Sequence, residues 1–155
     1  MVSRAASVTS VDLSDGVLAW ARDNFALNGL DAATHHTVAE DAGRYLEVAV
    51  ARGEQFDLVL IDPPSFSAAR AAEFTVGRDY ATMMTAACRV LAPGGHLWIA
   101  SNTRGFSLVG AAQLAASAAG RVARLVTLGG LPPDYPTELS DTEARYLQTA
   151  LLRLG

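Results

Sequence analysis

The segment Phe56-Asp57-Leu58-Val59-Leu60-Ile61 places large aliphatic residues at nearly every position instead of alternating them with polar ones. A strand of that composition calls for cover on both faces, as in a parallel sheet flanked by helices. The run stops on Asp62, and Pro63, Pro64, Ser65 and Phe66 follow at once. A carboxylate at the end of an apolar strand, with the next two φ angles set by proline rings, is presented at a fixed place on the edge of a sheet.

The surrounding sequence supplies neighbours for such a strand. Ala6 to Val11 is β-branched and ends at Asp12, which predicts a strand. Ser14 then caps a helix carrying Val17, Leu18, Ala21 and Phe25 on one face, stopped by Asn28-Gly29. His35 to Val38 is a weaker strand. Tyr45, Leu46, Val48 and Ala49 mark an amphipathic helix closed by Gly53. After a loop from Pro63 to about Gly77, a helix runs from Arg78 to Leu91 and ends at Pro93-Gly94-Gly95. His96 to Ala100 is a strand, Leu108 to Ala119 an alanine-rich helix, and Val122 to Leu128 and Tyr146 to Leu154 are two further strands. The alternation predicts one α/β domain over 1–155, with a mostly parallel sheet. The last two strands follow one another without a helix, so they form an antiparallel pair at one edge.

Bulk properties narrow the function. With 155 residues, half of them hydrophobic, and a mean hydropathy of +0.21, the chain can bury a real core and is not a disordered segment. The formal net charge is -4, and the sequence contains arginine but no lysine. Such a chain is a poor non-specific binder of nucleic acid, so any RNA contact must be local or come from outside these residues. The single cysteine, Cys88, excludes an internal disulfide and a cysteine-based metal cluster. His35, His36 and His96 lack the i, i+4 spacing of a helical zinc site, and no metal is expected. No apolar run approaches the ~18 residues that cross a bilayer, so no membrane partner is expected and the default location is cytoplasmic.

In open α/β sheets ligands bind outside the carboxyl ends of the strands, where Asp12, Asp41 and Asp62 all fall. Asp12 fits two roles, a cap for the following helix or an acceptor for vicinal ribose hydroxyls. Asp41 fits a first-turn dipole role or the binding of an exocyclic amine. Leu13 offers an apolar wall for a purine. Asp62 reads as functional, because a turn-starting Asp does not account for the two prolines and the Ser-Phe behind it. Trp20 and Trp98 read as core, Gly94-Gly95 as a turn, and Cys88 as a small buried hydrophobe.

The "DPPSF" motif resembles the catalytic loop of class I S-adenosylmethionine-dependent methyltransferases acting on planar nitrogen or base substrates. "FDLVLIDPPSFS" together with "RDYATMMTAACRVLAPGGHLWIASNTRGF" is similar to bacterial ribosomal RNA large-subunit methyltransferases of the cytosine-C5 and guanine-N7 types. "VTSVDLSDGVLAWARDNFALNGL" and "LPPDYPTELSDTEARYLQTALLRL" extend that likeness over nearly the whole chain. The resemblance implies a Rossmann-like methyltransferase fold, S-adenosyl-L-methionine as cofactor, and a base of ribosomal RNA as acceptor. It implies that Asp12, Leu13, Asp41, Ala42 and Asp62 line the cofactor. Asp62, Pro63, Pro64, Phe66 and Asn102 would serve the transfer, and Ser65, Phe66 and Arg104 would meet the substrate, with Phe66 stacked on the base.

Two departures from the family pattern shape the expectations. Only eleven residues precede Asp12, and none is glycine, so the family's first strand and glycine-rich loop have no counterpart here. In the family order that strand lies between the strands ending at Asp12 and Asp62. The expected consequences are weak cofactor binding and two exposed strand edges, which either pair directly or recruit another copy in a homo-oligomer. The second departure is Ser101-Asn102-Thr103, where the cytosine-C5 relatives carry a nucleophilic cysteine. That favours nitrogen methylation. The competing expectations are a methyltransferase fold without turnover and a methyltransferase for a small molecule or protein.

Overall fold

The computed structural model describes residues 5–62, 76–103, 106–132, 135 and 147–155. Its elements run β1 (Val8–Asp12), α1 (Asp15–Leu27), β2 (His35–Ala39), α2 (Ala42–Arg52), β3 (Phe56–Ile61), α3 (Val76–Val90), β4 (Leu91–Ser101), α4 (Leu108–Ala118), β5 (Ala123–Gly129) and β6 (Gln148–Leu154). The chain divides into two compact units, Met1–Val48 and Ala49–Gly155.

In the first unit β1 and β2 pair in parallel, with Val8 opposite His35 and Asp12 opposite Ala39. Ser14 is the N-cap of α1 and its Oγ accepts the Val17 amide, as the sequence predicts. Gly29 follows the helix at φ 65°, a conformation that L side chains rarely adopt. Leu18 and His35 are buried. His35 Nδ1 lies 2.9 Å from the Asp31 carbonyl, and its ring lies 5.2 Å from that of Phe25, so this histidine packs within the unit. Trp20 is a correction, because it is 70 % exposed on α1 while Leu18 faces inward.

The second unit holds a four-stranded sheet in the order β3-β4-β6-β5. β3 and β4 are parallel, and β6 runs antiparallel to both β4 and β5. The C-terminal pair is therefore antiparallel and β5 forms the edge, as expected. Strand β4 begins at Leu91 rather than His96. Leu91 pairs with Phe56 immediately after α3, the chain then departs from the ladder, and His96 rejoins it opposite Leu58. The Pro93-Gly94-Gly95 turn thus lies inside the strand element. Tyr80, Met84, Cys88, Leu97, Ile99, Leu108, Ala112, Leu152 and Leu154 form the core between the sheet, α3 and α4. Each large aliphatic among them contributes about 1.5–3 kcal/mol of burial.

β3 is less buried than its composition predicts. Ile61 is enclosed, but Leu58 and Val59 are half-buried and Leu60 is 56 % exposed. The reason is topological: among the described residues β3 has one strand neighbour, β4, while β1 and β2 form a separate sheet. The expected direct pairing between the strands that end at Asp12 and Asp62 is therefore not made among the described residues.

Candidate functional site

The first unit places Asp12 and Asp41 beside one another in the fold, at the carboxyl ends of two paired strands. Asp12 closes β1, and its main-chain carbonyl accepts the Glu40 amide at 3.1 Å, one residue before Asp41. Asp12 Oδ1 accepts the Ser14 amide at 2.7 Å and so shapes the turn into α1. Among the described residues no hydrogen bond reaches its Oδ2. Leu13, next to it, is 65 % exposed. An ionised carboxylate oxygen accepts hydrogen bonds, and here it stands next in sequence to an exposed aliphatic side chain.

Asp41 Oδ1 accepts the Arg44 amide at 2.9 Å, the bond an N-cap residue makes to the third helical position. Asp41 thus caps α2, a role not predicted for it from the sequence, and Ala42 opens the helix as an exposed residue. Glu40 and Arg44 form an ion pair at 3.7 Å on the same turn. Both side chains are exposed, so this pair contributes little.

The second unit places Asp62 and Asn102 at neighbouring parallel strand ends. Ile61 is registered with Ile99, so Asp62 leaves β3 where β4 has two residues left, Ala100 and Ser101. Asp62 is exposed and Asn102 follows β4 directly. Ser101 Oγ accepts the Thr103 amide at 3.2 Å, which turns the chain at the strand end. Pro63, Pro64, Ser65, Phe66 and Arg104 lie outside the described residues.

Sequence reasoning missed three residues around Asn102. Tyr80 on α3 is 2 % exposed, and its hydroxyl donates to the Ala100 carbonyl at 2.7 Å. Its ring meets Phe106 edge-on, with centroids 5.5 Å apart and planes at 85°. Gln148 Nε2 donates to the Phe106 carbonyl at 3.3 Å. Burial, and then the nearby Asp62 charge, push the Tyr80 hydroxyl well above the ordinary phenol range, so it stays a donor. In the sequence Tyr80 sits one turn before Met83 and Met84, and that spacing reads only as a core helix.

Among the described residues no group of three or more His, Cys, Asp or Glu side chains could hold a metal, and no helix is long and apolar enough to cross a membrane.

A family profile described as S-adenosylmethionine-dependent methyltransferase matches residues 1–152. The chain is 48 % identical over 106 residues to the ribosomal RNA large subunit methyltransferase K/L of Chromohalobacter salexigens, covering 67 % of this chain and 14 % of that protein. It is 41 % identical over 106 residues to the ribosomal RNA large subunit methyltransferase K of Neisseria meningitidis serogroup B, covering 67 % and 30 %. The fold is similar to that of SMU.776, a protein assigned as a methyltransferase and solved in complex with SAH, with a TM-score of 0.79 and 26 % identity. That match covers 96 % of this chain and 39 % of SMU.776. The chain therefore spans less than half the length of each of these three proteins.

Proposed function

This chain belongs to the S-adenosylmethionine-dependent methyltransferase family, and from that premise we propose that it methylates a ring or exocyclic nitrogen of a base in large-subunit ribosomal RNA. The observation that carries the reading is the placing of Asp62 and Asn102 at the ends of two neighbouring parallel strands, β3 and β4. That is where an open α/β sheet binds its ligands.

When bound, the cofactor supplies an electrophilic methyl group on a sulfonium sulfur. The open oxygen of Asp12 would hold the ribose hydroxyls and Leu13 would cover a purine face, with Asp41 and Ala42 at the next strand end. Asp62 and Asn102 would orient the acceptor, and Pro63 and Pro64 would restrict the backbone that follows Asp62. Ser65, Phe66 and Arg104 complete the proposed acceptor side. Alignment is the main requirement for attack by a nitrogen lone pair. Methylation at cytosine C5 would need a thiolate. Burial pushes the Cys88 thiol up to about 11, partly offset by Arg121, and the side chain is fully enclosed. The proposed setting is the cytoplasm, where ribosomal RNA is modified. Association through strand edges belongs to the same proposal, since among the described residues β3 has one strand neighbour and exposes Leu60.

A second reading, with a small molecule or a protein as acceptor, is favoured by the net charge of -4. Incubation with methyl-labelled cofactor and unmodified large-subunit RNA, followed by nucleoside analysis, separates the two. The expected product is an N-methylated base. Label at cytosine C5 would overturn the nitrogen assignment, and turnover by Asp62→Ala equal to the parent would remove Asp62 from the site.

A further inference from the structure

We propose that Tyr80 is a positioning residue that holds Phe106 as an aromatic wall for a planar heteroaromatic ring, on the acceptor side of the site that contains Asp62 and Asn102. The inference rests on the methyl-transfer reading and adds residues that the resemblance does not assign.

The loop after β4 is pinned at both of its described ends. Ser101, the last residue of β4, is registered with Gln148 on β6. The Gln148 side chain crosses from that rung to the Phe106 carbonyl. The Phe106 amide in turn donates to the Thr103 carbonyl at 3.4 Å. The backbone of Phe106 is therefore tied to the strand end from which the loop departs. Ser107 then caps α4 through the Gly110 amide, which fixes the exit.

Tyr80 fixes the side chain of Phe106 from the opposite direction. Its hydroxyl takes the carbonyl of Ala100, one residue beyond the last β3–β4 rung. With the phenol anchored there, the T-shaped contact between the two rings favours one plane for Phe106. Phe106 itself is only half-buried. A half-exposed aromatic ring held from behind by a buried one is a stacking platform, and π-stacking accepts any planar base. The Asp62 charge acts on the Tyr80 hydroxyl, so the acidic strand end and the braced ring belong to one neighbourhood.

The test uses the full chain with isotope-labelled phenylalanine and tyrosine rings, followed by nuclear magnetic resonance. S-adenosylhomocysteine is titrated first, and guanosine and cytidine are titrated with and without it. The expected result is a shift of the Phe106 ring resonances on adding nucleoside. Phe106→Leu should weaken nucleoside binding about tenfold. Tyr80→Phe keeps the ring and removes the hydroxyl, and should weaken it about fivefold while leaving the affinity for S-adenosylhomocysteine unchanged. Nucleoside binding by Tyr80→Phe equal to the parent, or Phe106 resonances that do not respond at millimolar nucleoside, would overturn the proposal. If S-adenosylhomocysteine binds normally in that case, methyl transfer stands without this wall. If S-adenosylhomocysteine fails to bind but nucleosides shift Phe106, the wall stands and the cofactor reading falls.

Discussion

One carboxylate oxygen of Asp12 accepts the Ser14 amide at 2.7 Å, so the residue that ends β1 also shapes the start of α1. Asp12→Asn keeps an oxygen for that amide and removes the charge. The melting temperature should stay within about 2 °C of the parent, because the turn bond survives. Affinity for S-adenosylhomocysteine should fall about tenfold, because the proposed charge-assisted bonds to ribose hydroxyls are lost. Calorimetric titration and a thermal melt on the same sample read both effects. Equal affinity would make Asp12 a turn residue and nothing more.

Arg121 joins elements far apart in sequence. Its guanidinium donates to the carbonyls of Cys88 at 3.0 Å, Leu91 at 2.8 Å and Ala92 at 3.2 Å, and its Nε to that of Gly155 at 2.8 Å. The first three carbonyls lie where α3 gives way to β4, and the fourth directly follows β6. Arg121→Met removes their partner and should cost about 3 kcal/mol, the scale of hydrogen bonds to a charged group. That corresponds to a loss of about 10 °C in a thermal melt. Arg121→Lys should recover only part, because an ammonium cannot span several acceptors as a planar fork does. Full recovery by lysine would show that charge alone matters there.

Gly94 and Gly95 separate a conformational demand from a spatial one. Gly94 has φ 78°, and an added Cβ would meet only the flexible side chain of Arg153. Gly95 has an ordinary φ, but its Cβ would stand 2.9 Å from the Ala92 carbonyl oxygen and 3.2 Å from that of Phe56. Gly94→Ala should cost about 1 kcal/mol in strain. Gly95→Ala should cost about 2–3 kcal/mol, because main-chain atoms have to shift. Chemical denaturation of both variants gives the comparison, and a smaller loss at Gly95 would contradict the close approach of β3 to this turn.

What the sequence made legible was local. The end of β3 at Ile61, the Ser14 cap and the closing antiparallel pair depend on hydrophobic runs, cap chemistry and the lack of a helix between strands, all of which act within a few residues. The start of β4 was not legible, because Leu91 reads as the end of a helix until Phe56 is available to pair with it. The half-exposure of Leu60 was hidden for a similar reason: composition shows what a strand can bury, while topology decides what covers it. Tyr80 and Phe106 are 26 positions apart and meet only because α3 lies over β4. No periodicity links them. The strand-end positions of Asp12 and Asp62 were easier to read, since a charge at the end of an apolar run stands out in one dimension.

Cys88 tests the chemistry from the opposite side. The thiol is fully enclosed on α3, and burial pushes it up to about 11 despite the counteracting Arg121 charge. At pH 8 only about one molecule in a thousand then carries the thiolate, which is the reactive form. A thiol reagent should leave the folded chain unmodified and label it fully in denaturant. The same shift has a consequence for stability. An unfolded cysteine titrates near 8.5, about two and a half units lower, so between roughly pH 8.5 and 11 the unfolded state releases a proton that the folded state keeps. The stability from Cys88 is present below that window and lost as pH rises through it. Cys88→Ala should remove this part of the alkaline loss, and it should leave methyl transfer at the parent rate because the proposed nitrogen methylation needs no covalent thiol adduct. If that variant lost transfer while keeping its fold and its affinity for S-adenosylhomocysteine, Cys88 would have to be the nucleophile, and cytosine C5 would become the target despite the burial.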